Sequence, residues 1–351
     1  MKIAIFLPGI AGGGTERFAV LLADGLSERG HDVRVLTGPN KTDEYALSEK
    51  VKRVVLYKKR SLFKQAFSLR NYLKANEVDY CVALGIYPNL VAALSNFSTK
   101  TKFILSERNA PKEDRLSSKS KILRFLLYRN ADAYVFQTPD AKEFFSKSIQ
   151  RRGIVIPNPI KEGLPLRNNN PRHEIVAVGR LEIQKNYFML LDAFALVTAN
   201  YPNYVLRIFG KGSVERQLKS YSKQLGISDK VAFEGFSSDV HEQIKNSEIF
   251  VLPSDFEGLP NALMEAMAMG FPVVSTDCPC GGPRMLISNQ ENGLLVPVGN
   301  KEAMAKAICQ YIESTELREK CGKEAYKVRN QYSLDKILNK WEDLFHNLIP
   351  K

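Results

Sequence analysis

Short apolar runs alternate with amphipathic helical patterns along most of the 351 residues, and this alternation constrains the fold more than any other feature. Such runs between helices are typical of strands buried on both faces in parallel βαβ units. The runs in the first half are residues 3–7, 33–36, 54–57, 80–84, 103–106, 133–137 and 154–156. Those in the second half are residues 175–178, 205–209, 231–233, 249–252, 272–275 and 294–296. The pattern predicts an α/β protein with two doubly wound parallel sheets.

A segment rich in proline and asparagine separates the two series. Residues 157–171 contain Pro157, Pro159, Gly163 and Pro165 and end in a run of three asparagines and a proline. Proline and glycine at this density indicate a linker. We therefore predict three parts: an N-terminal Rossmann-like domain over 1–165, a second over 172–330, and a C-terminal helix over 331–351. A cleft between two such domains is a favoured place for a ligand.

The most informative motif follows the apolar run 249–252. The chain turns through Gly258 and Pro260 into a helical pattern that stops at Gly270. In an open α/β sheet this loop lies where ligands bind, and the start of the helix favours anions. Two carboxylates lie beside that anion site, Glu257 in the loop and Glu265 in the helix. A nucleotide sugar combines the required features, since it has a diphosphate flanked by two hydroxyl-rich rings.

This block resembles the E-x7-E signature of retaining glycosyltransferases with the GT-B fold, especially glycosyltransferase family 4. The resemblance implies that Glu257 contacts hydroxyls of the donor sugar and that Glu265 holds the ribose diol. It also implies that amides of Gly258 and Leu259 approach the sugar and the phosphate. The alternative is a solvated loop acid followed by a polar helix position.

A second block supplies the positive charge that a diphosphate needs. Residues 178–186 resemble the V-G-R-L-x-x-x-K-N block of the same family and place Arg180 and Lys185 after a strand. A guanidinium fork and an ammonium together suit a diphosphate, although a plain surface pair is the alternative. The chain contains no D-x-D motif, which often holds a divalent metal in transferases of the other major fold. We therefore expect no metal cofactor.

Three further turns are assigned to the donor by resemblance. Residues 12–17 follow the first strand and resemble the family's G-G-x-E turn, which implies that Gly13 and Gly14 face the donor phosphates and the acceptor. Arg17 stands where a dinucleotide-binding G-x-G-x-x-G motif needs its last glycine, which argues against that motif. The weaker matches after two later strands are Gly210, Gly212 and Phe236 on the nucleoside side. Plain structural turns are the alternative at each place.

The acceptor assignment rests on Glu107 and Arg108, which end a strand of the first half. Many family members have S-E-H at this place, so Arg108 stands where they have a histidine. An arginine suits an anionic acceptor, and a salt-bridged structural arginine is the alternative. None of the four histidines lies in a recognised motif, so none is assigned to catalysis.

The excess of positive charge lies in the first half of the chain. Residues 1–160 contain 27 Lys and Arg against 15 Asp and Glu, whereas 161–351 contain 23 of each. Two basic amphipathic patterns, 62–76 and 120–130, favour contact with an anionic membrane, although both can also cover a sheet. Five scattered cysteines are typical of a reduced, cytosolic protein. No apolar stretch is long enough for a transmembrane helix.

The resemblance, together with the two strand series, implies a GT-B protein whose two Rossmann-like domains face each other across a deep cleft. The expected activity is retaining, metal-independent transfer of a hexose or N-acetylhexosamine from a UDP-sugar. The expected acceptor is a saccharide on a lipid diphosphate carrier, used in bacterial cell-surface polysaccharide assembly. The expected location is the cytoplasm, on the inner face of the membrane. Two alternatives are a nucleotide-sugar epimerase of similar shape and a non-enzymatic polyanion-binding protein. We expect no nucleic-acid partner, because no helix-turn-helix, zinc or RNP pattern is present.

Overall fold

The computed structural model describes residues 1–39, 45–58, 61–113 and 118–348. The chain divides into two compact units. Unit 1 comprises Met1–Pro159 together with Leu334–Lys351, and unit 2 comprises Ile160–Ser333. The first chain boundary between the units therefore lies within the proline-rich segment.

Unit 1 contains a parallel sheet with seven strands among the described residues. The strands are β1 (Lys2–Phe6), β2 (Asp32–Thr37), β3 (Lys52–Val55), β4 (Tyr80–Leu84), β5 (Lys102–Ser106), β6 (Ala133–Phe136) and β7 (Gly153–Val155). The helices are α1 (Gly14–Glu28), α2 (Leu62–Ala75), α3 (Ile86–Ser95), α4 (Ser118–Leu127), α5 (Pro139–Glu143) and α6 (Lys147–Arg151). The strand order is β3-β2-β1-β4-β5-β6-β7, so the order reverses between β1 and β4.

Unit 2 repeats this design with a parallel sheet of six described strands. The strands are β8 (Arg172–Val178), β9 (Val205–Phe209), β10 (Val231–Gly235), β11 (Ser247–Leu252), β12 (Val273–Thr276) and β13 (Leu294–Val296). The helices are α7 (Tyr187–Asn200), α8 (Glu215–Gln224), α9 (Val240–Ile244), α10 (Asn261–Ala268), α11 (Gly282–Leu286), α12 (Lys301–Glu313), α13 (Thr315–Ala325) and α14 (Val328–Gln331). The order β10-β9-β8-β11-β12-β13 reverses between β8 and β11. The prediction of two parallel α/β sheets is confirmed.

The last helix, α15 (Leu334–Leu348), belongs to unit 1 and packs on α1. Its apolar residues recur with a helical period, and Ile337, Trp341 and Phe345 are among its buried members. The Trp341 ring lies 6.2 Å from that of Phe18 on α1. These side chains share one hydrophobic core with β1, β2 and β4. The helix thus covers one face of the first sheet although it follows the whole of unit 2.

Among the described residues, none of the helices has both the length and the apolar composition needed to cross a bilayer.

Candidate functional site

Most of the predicted donor residues lie on loops at the carboxyl ends of neighbouring strands of unit 2. Arg180 and Lys185 follow β8, Gly210 and Gly212 follow β9, and Glu257 follows β11. β8 and β11 are hydrogen-bonded neighbours at the point where the strand order reverses. Loops that diverge from such a switch point leave a crevice between them, where ligands of open α/β sheets bind.

An ion pair joins the two sides of this switch point. Lys185 ends the short 3-10 helix Ile183–Lys185, and its Nζ donates a hydrogen bond to Oε1 of Glu257. The Oγ of Ser254 donates to the same oxygen at 2.6 Å. The two charged side chains are only 15% and 9% exposed, so each is held in one place by the other. The ammonium of Lys185 and the carboxylate of Glu257, which can accept hydrogen bonds from hydroxyl groups, are thereby fixed beside each other.

Backbone contacts tie the same two loops together. The amide of Asp255 donates to the carbonyl of Gln184 at 2.9 Å, and the Gln184 side chain donates to the carbonyl of Phe256 at 2.7 Å. The Asn186 amide donates to Asp255 at 2.6 Å. These bonds make the loop conformation part of the fold, as preorganised binding requires.

Arg180 is exposed and lies in the loop that also holds Lys185. No hydrogen bond of its side chain occurs within the described part of the chain, whereas Lys185 is committed to Glu257. The guanidinium is therefore the more accessible of the two cations for a phosphate ligand.

Two predicted glycines have a steric reason to be glycine. A Cβ at Gly210 would lie 1.9 Å from the carbonyl oxygen of Gly179, and Gly210 also has a φ of +137°. A Cβ at Gly212 would lie 2.1 Å from the carbonyl oxygen of Leu181. Both glycines let the loop after β9 press against the loop after β8. Their presence is explained by this packing, and a ligand contact is an additional hypothesis.

The loop before α10 is built in the same way. Leu259 is buried, and a Cβ at Gly282 would lie 2.0 Å from the carbonyl oxygen of Gly258. The turn from Gly258 to α10 is thus held from below by the glycine turn at the start of α11. Phe236, just after β10, is 73% exposed and offers an aromatic face at the end of the row of loops.

Glu265 has a partner that the sequence motifs did not indicate. It lies in α10, is buried, and accepts a hydrogen bond from Nε2 of His241 at 2.8 Å. His241 lies in α9, and no motif marks it, because the contact joins two helices through the fold. The pair holds the Glu265 carboxylate in a fixed orientation, as a buried imidazole–carboxylate contact does.

The Cys278 thiol lies near this charge cluster but is not a nucleophile. Burial raises its pKa to about 12, and the Glu257 charge adds to the effect. The thiol is therefore neutral at physiological pH, and only the thiolate is reactive.

The predicted residues of unit 1 lie at the corresponding edge of the first sheet. Gly13 precedes α1 as its N-cap, Gly14 begins the helix, and Arg108 follows β5. Arg108 forms part of the wall of a pocket of about 210 Å³. Glu107 is not among the residues that line this pocket. Its Oε1 accepts hydrogen bonds from the hydroxyl of Tyr128 and from Asn89, so it is held inside the unit.

Comparison with known proteins connects both halves to one class of enzyme. Residues 165–328 match the family model of "Glycosyl transferases group 1", and residues 12–163 match that of "Glycosyltransferase Family 4". An uncharacterised glycosyltransferase of Haemophilus influenzae is 28% identical over 98% of this chain and 99% of its own length. The N-acetylgalactosamine-N,N'-diacetylbacillosaminyl-diphospho-undecaprenol 4-alpha-N-acetylgalactosaminyltransferase of Campylobacter jejuni is 30% identical over 71% of each chain.

A solved structure extends the likeness to the fold. The crystal structure of HepE from Anabaena in complex with UDP superposes with a TM-score of 0.86 at 18% identity. The match covers 99% of this chain and all of the HepE chain.

Proposed function

The chain belongs to the glycosyltransferases of the GT-B fold, and from that premise we propose that unit 2 binds a UDP-sugar at the β8–β11 switch point. Arg180 and Lys185 bind the diphosphate, Glu257 and the amides of Gly258 and Leu259 contact the sugar, and Glu265 holds the ribose diol. The observation that carries this proposal is the fixed Lys185–Glu257 pair, which places a cation beside a carboxylate that can accept hydrogen bonds from sugar hydroxyls. The crystal structure of HepE with UDP supports the choice of nucleotide.

The proposed chemistry is transfer of a hexose or N-acetylhexosamine with retention of configuration. The acceptor oxygen attacks the anomeric carbon on the face from which the diphosphate departs. The bond from that carbon to the phosphate oxygen breaks, its electron pair leaves with UDP, and a donor phosphate oxygen takes the acceptor proton. Arg180 and Lys185 stabilise the charge that develops on the diphosphate, so no metal ion is required.

Charge removal at the switch point tests the donor assignment. Arg180→Ala and Lys185→Ala should each weaken UDP binding at least about tenfold, because each removes a charge-assisted contact worth about 1.5–3 kcal/mol. Arg216→Ala removes an exposed arginine on α8 of the same unit and serves as the matched control. Titration calorimetry in EDTA measures all three variants. Unchanged affinity in the first two, or UDP binding that requires added metal, would contradict the proposal.

We also propose that the acceptor is a saccharide on a lipid diphosphate carrier at an anionic membrane. The Campylobacter jejuni relative is named for a diphospho-undecaprenol acceptor, which supports this class. Unit 1 has two exposed apolar stripes that suit a membrane surface. On α2, Phe63 and Phe67 are 76% and 62% exposed and lie one turn apart. On α4, Ile122, Phe125 and Leu126 are each more than half exposed.

Each stripe continues into an arginine. On α2, Arg70 follows Phe67 by one turn, and its guanidinium lies 5.6 Å from the Phe97 ring. Just after α4, the guanidinium of Arg129 lies 4.5 Å from the Phe125 ring. Apolar side chains flanked by cations are the composition expected of a surface that binds anionic lipid headgroups.

A further inference from the structure

Arg108 carries a buried charge that has no ion-pair partner among the described residues. The side chain is 6% exposed, and its Cζ lies 3.6 Å from the centre of the Phe18 ring. One terminal nitrogen, Nη2, donates to Oδ1 of Asn158. The other two nitrogens, Nε and Nη1, are buried and have no hydrogen-bond partner among the described residues. Buried donors without acceptors are costly, and such a group in a native fold calls for an explanation.

The neighbouring carboxylate does not supply that explanation. Glu107 is adjacent in sequence, but its Oε1 accepts hydrogen bonds from Tyr128 and Asn89. Burial lowers the pKa of Arg108 from 12.5 to about 9. The guanidinium therefore still carries its charge at neutral pH.

The pocket beside Arg108 collects two further sources of positive potential. Thr15 and Glu16 of α1 line it, as do Gly85 and Ile86 at the start of α3. Both helices have a glycine N-cap, and neither N-cap provides a side-chain hydrogen bond to the first turn. Uncapped helix starts expose amide donors and a partial positive charge. The pocket lies at the β1–β4 switch point of the first sheet.

Glu16 is the opposing charge in this pocket. Its carboxylate folds back against Gly13, so closely that a Cβ there would lie 1.9 Å from Oε2. The carboxylate therefore lies over the start of α1 and leaves Arg108 without an ion pair within the described residues. Because Arg108 can pair with an anionic group and Glu16 can accept hydrogen bonds from hydroxyls, the pocket suits a ligand that carries both kinds of group.

We propose that this pocket recognises an oxyanion on the acceptor, either the carboxylate of an acidic sugar or a phosphate group. Arg108 supplies the charge, the start of α3 supplies amide donors, and Glu16 accepts a hydrogen bond from a neighbouring sugar hydroxyl. The inference rests on the proposed glycosyl transfer, and it narrows the acceptor to an anionic saccharide.

The test uses the full chain saturated with UDP, so that the donor site is filled. Three probes are titrated in turn and followed by ligand-observed NMR: methyl α-D-glucuronide, glucose 6-phosphate and neutral methyl α-D-glucoside. We expect at least one anionic probe to bind about tenfold more tightly than the neutral one. The carboxylate and phosphate arms distinguish the two sources of the oxyanion. Arg108→Gln should abolish the preference, and Arg108→Lys should retain part of it.

Because Arg108 is buried, its substitution could disturb the fold, so a second variant that keeps Arg108 tests the same prediction. Thr15→Glu adds a carboxylate to the pocket and leaves Arg108 intact, and an acid in the first turn of α1 is compatible with the helix. It should also abolish the preference for anions. Arg151→Gln removes an exposed arginine from the same unit and should change nothing.

The outcomes separate this inference from the proposed function. Equal binding of anionic and neutral probes to the parent protein would overturn the inference while UDP binding stands. Loss of UDP affinity in Arg108→Gln would also overturn it, since the arginine would then serve the donor. Failure of the parent to bind UDP at all would instead overturn the proposed function.

Discussion

At the scale of single residues, the Lys185–Glu257 contact shows what motifs can and cannot predict. Each residue was predicted from its own motif, at the end of its own strand. Their contact spans 72 positions of sequence and depends on β8 and β11 being neighbours in the sheet. A motif names the residue types that chemistry needs, but only the strand order brings them together. The Lys185 ammonium has three N–H donors and uses one of them for Glu257, so the proposed contact with the diphosphate can use the others without breaking the pair.

His241 was missed for the same physical reason. What marks His241 is its buried hydrogen bond to Glu265, which joins α9 to α10 and is not visible in the sequence. We predict that it positions Glu265 for the ribose diol. His241→Ala should weaken UDP binding about tenfold and should hardly affect binding of 2′-deoxy-UDP, which lacks half of the diol. His241→Gln keeps a donor for the carboxylate and should restore part of the affinity. Calorimetry with both nucleotides measures the difference.

A merely structural histidine would give another pattern. Its replacement by alanine would weaken the binding of UDP and of 2′-deoxy-UDP equally, and the glutamine variant would not selectively restore UDP binding. His173→Ala is the matched control, since His173 also contacts a glutamate of unit 2, Glu248, at 3.3 Å. It should leave the preference for UDP over the deoxy nucleotide unchanged.

At the scale of elements, apolar patterning was sufficient to locate the strands. Every predicted strand overlaps an observed one, and the three runs 80–84, 205–209 and 294–296 have the observed bounds. Buried parallel strands are continuous apolar runs, which are easily recognised.

The predicted starts of helices were less accurate than the predicted strands. α15 begins at Leu334 rather than at residue 331, because Tyr332 is buried against unit 2 and ends the preceding segment. The last three residues of the predicted 331–351 segment lie outside the described residues.

The polar contacts between α15 and the rest of unit 1 predict that the stability of the fold depends on pH. Glu342 bonds to Arg29 at the end of α1 and to Nε2 of His31 at 2.9 Å. Burial raises the pKa of Glu342, but these hydrogen bonds outweigh it and hold the pKa below the usual 4.5. A depressed carboxyl pKa adds stability above the unfolded pKa, and that stability is lost as pH falls through the folded pKa.

Glu342→Gln should therefore lower the free energy of unfolding of the chain by about 1 kcal/mol at pH 7, since the pair is partly solvent-screened. The difference from the parent should start to shrink as pH falls below the unfolded pKa of about 4.5, and should vanish as pH falls through the lower folded pKa, where the parent carboxyl becomes neutral. Thermal melts at pH 7 and pH 3.5 measure this. Glu77→Gln is the control: Glu77 is exposed and pairs with Lys2 at 3.6 Å, and its substitution should change the free energy of unfolding by no more than about 0.5 kcal/mol. A constant difference at both pH values would contradict the assignment.

At the scale of the whole molecule, the charge divides by unit as well as by sequence half. The stretch 334–351 that joins unit 1 contains three basic and three acidic residues, so the excess of +12 stays with unit 1 and unit 2 is neutral. The proposed donor site is thus in a neutral unit, and its affinity comes from a few placed side chains. The proposed membrane and acceptor contacts are in the basic unit, where long-range attraction also acts.

This division predicts that the two kinds of binding respond differently to salt. Affinity for vesicles of phosphatidylglycerol should fall steeply between 50 mM and 300 mM salt, because the Debye length shortens across this range. UDP affinity should change far less, because partly buried contacts are screened less. Co-sedimentation and calorimetry on the same preparation measure both affinities.

The double substitution Phe63→Ser with Phe67→Ser should weaken vesicle binding about tenfold at every salt concentration, since it removes apolar contact and no charge. Leu196→Ser, which removes an exposed apolar side chain of unit 2, should have no such effect. Vesicle binding that is insensitive to salt and to the phenylalanine pair would refute the membrane assignment and leave the donor site untouched.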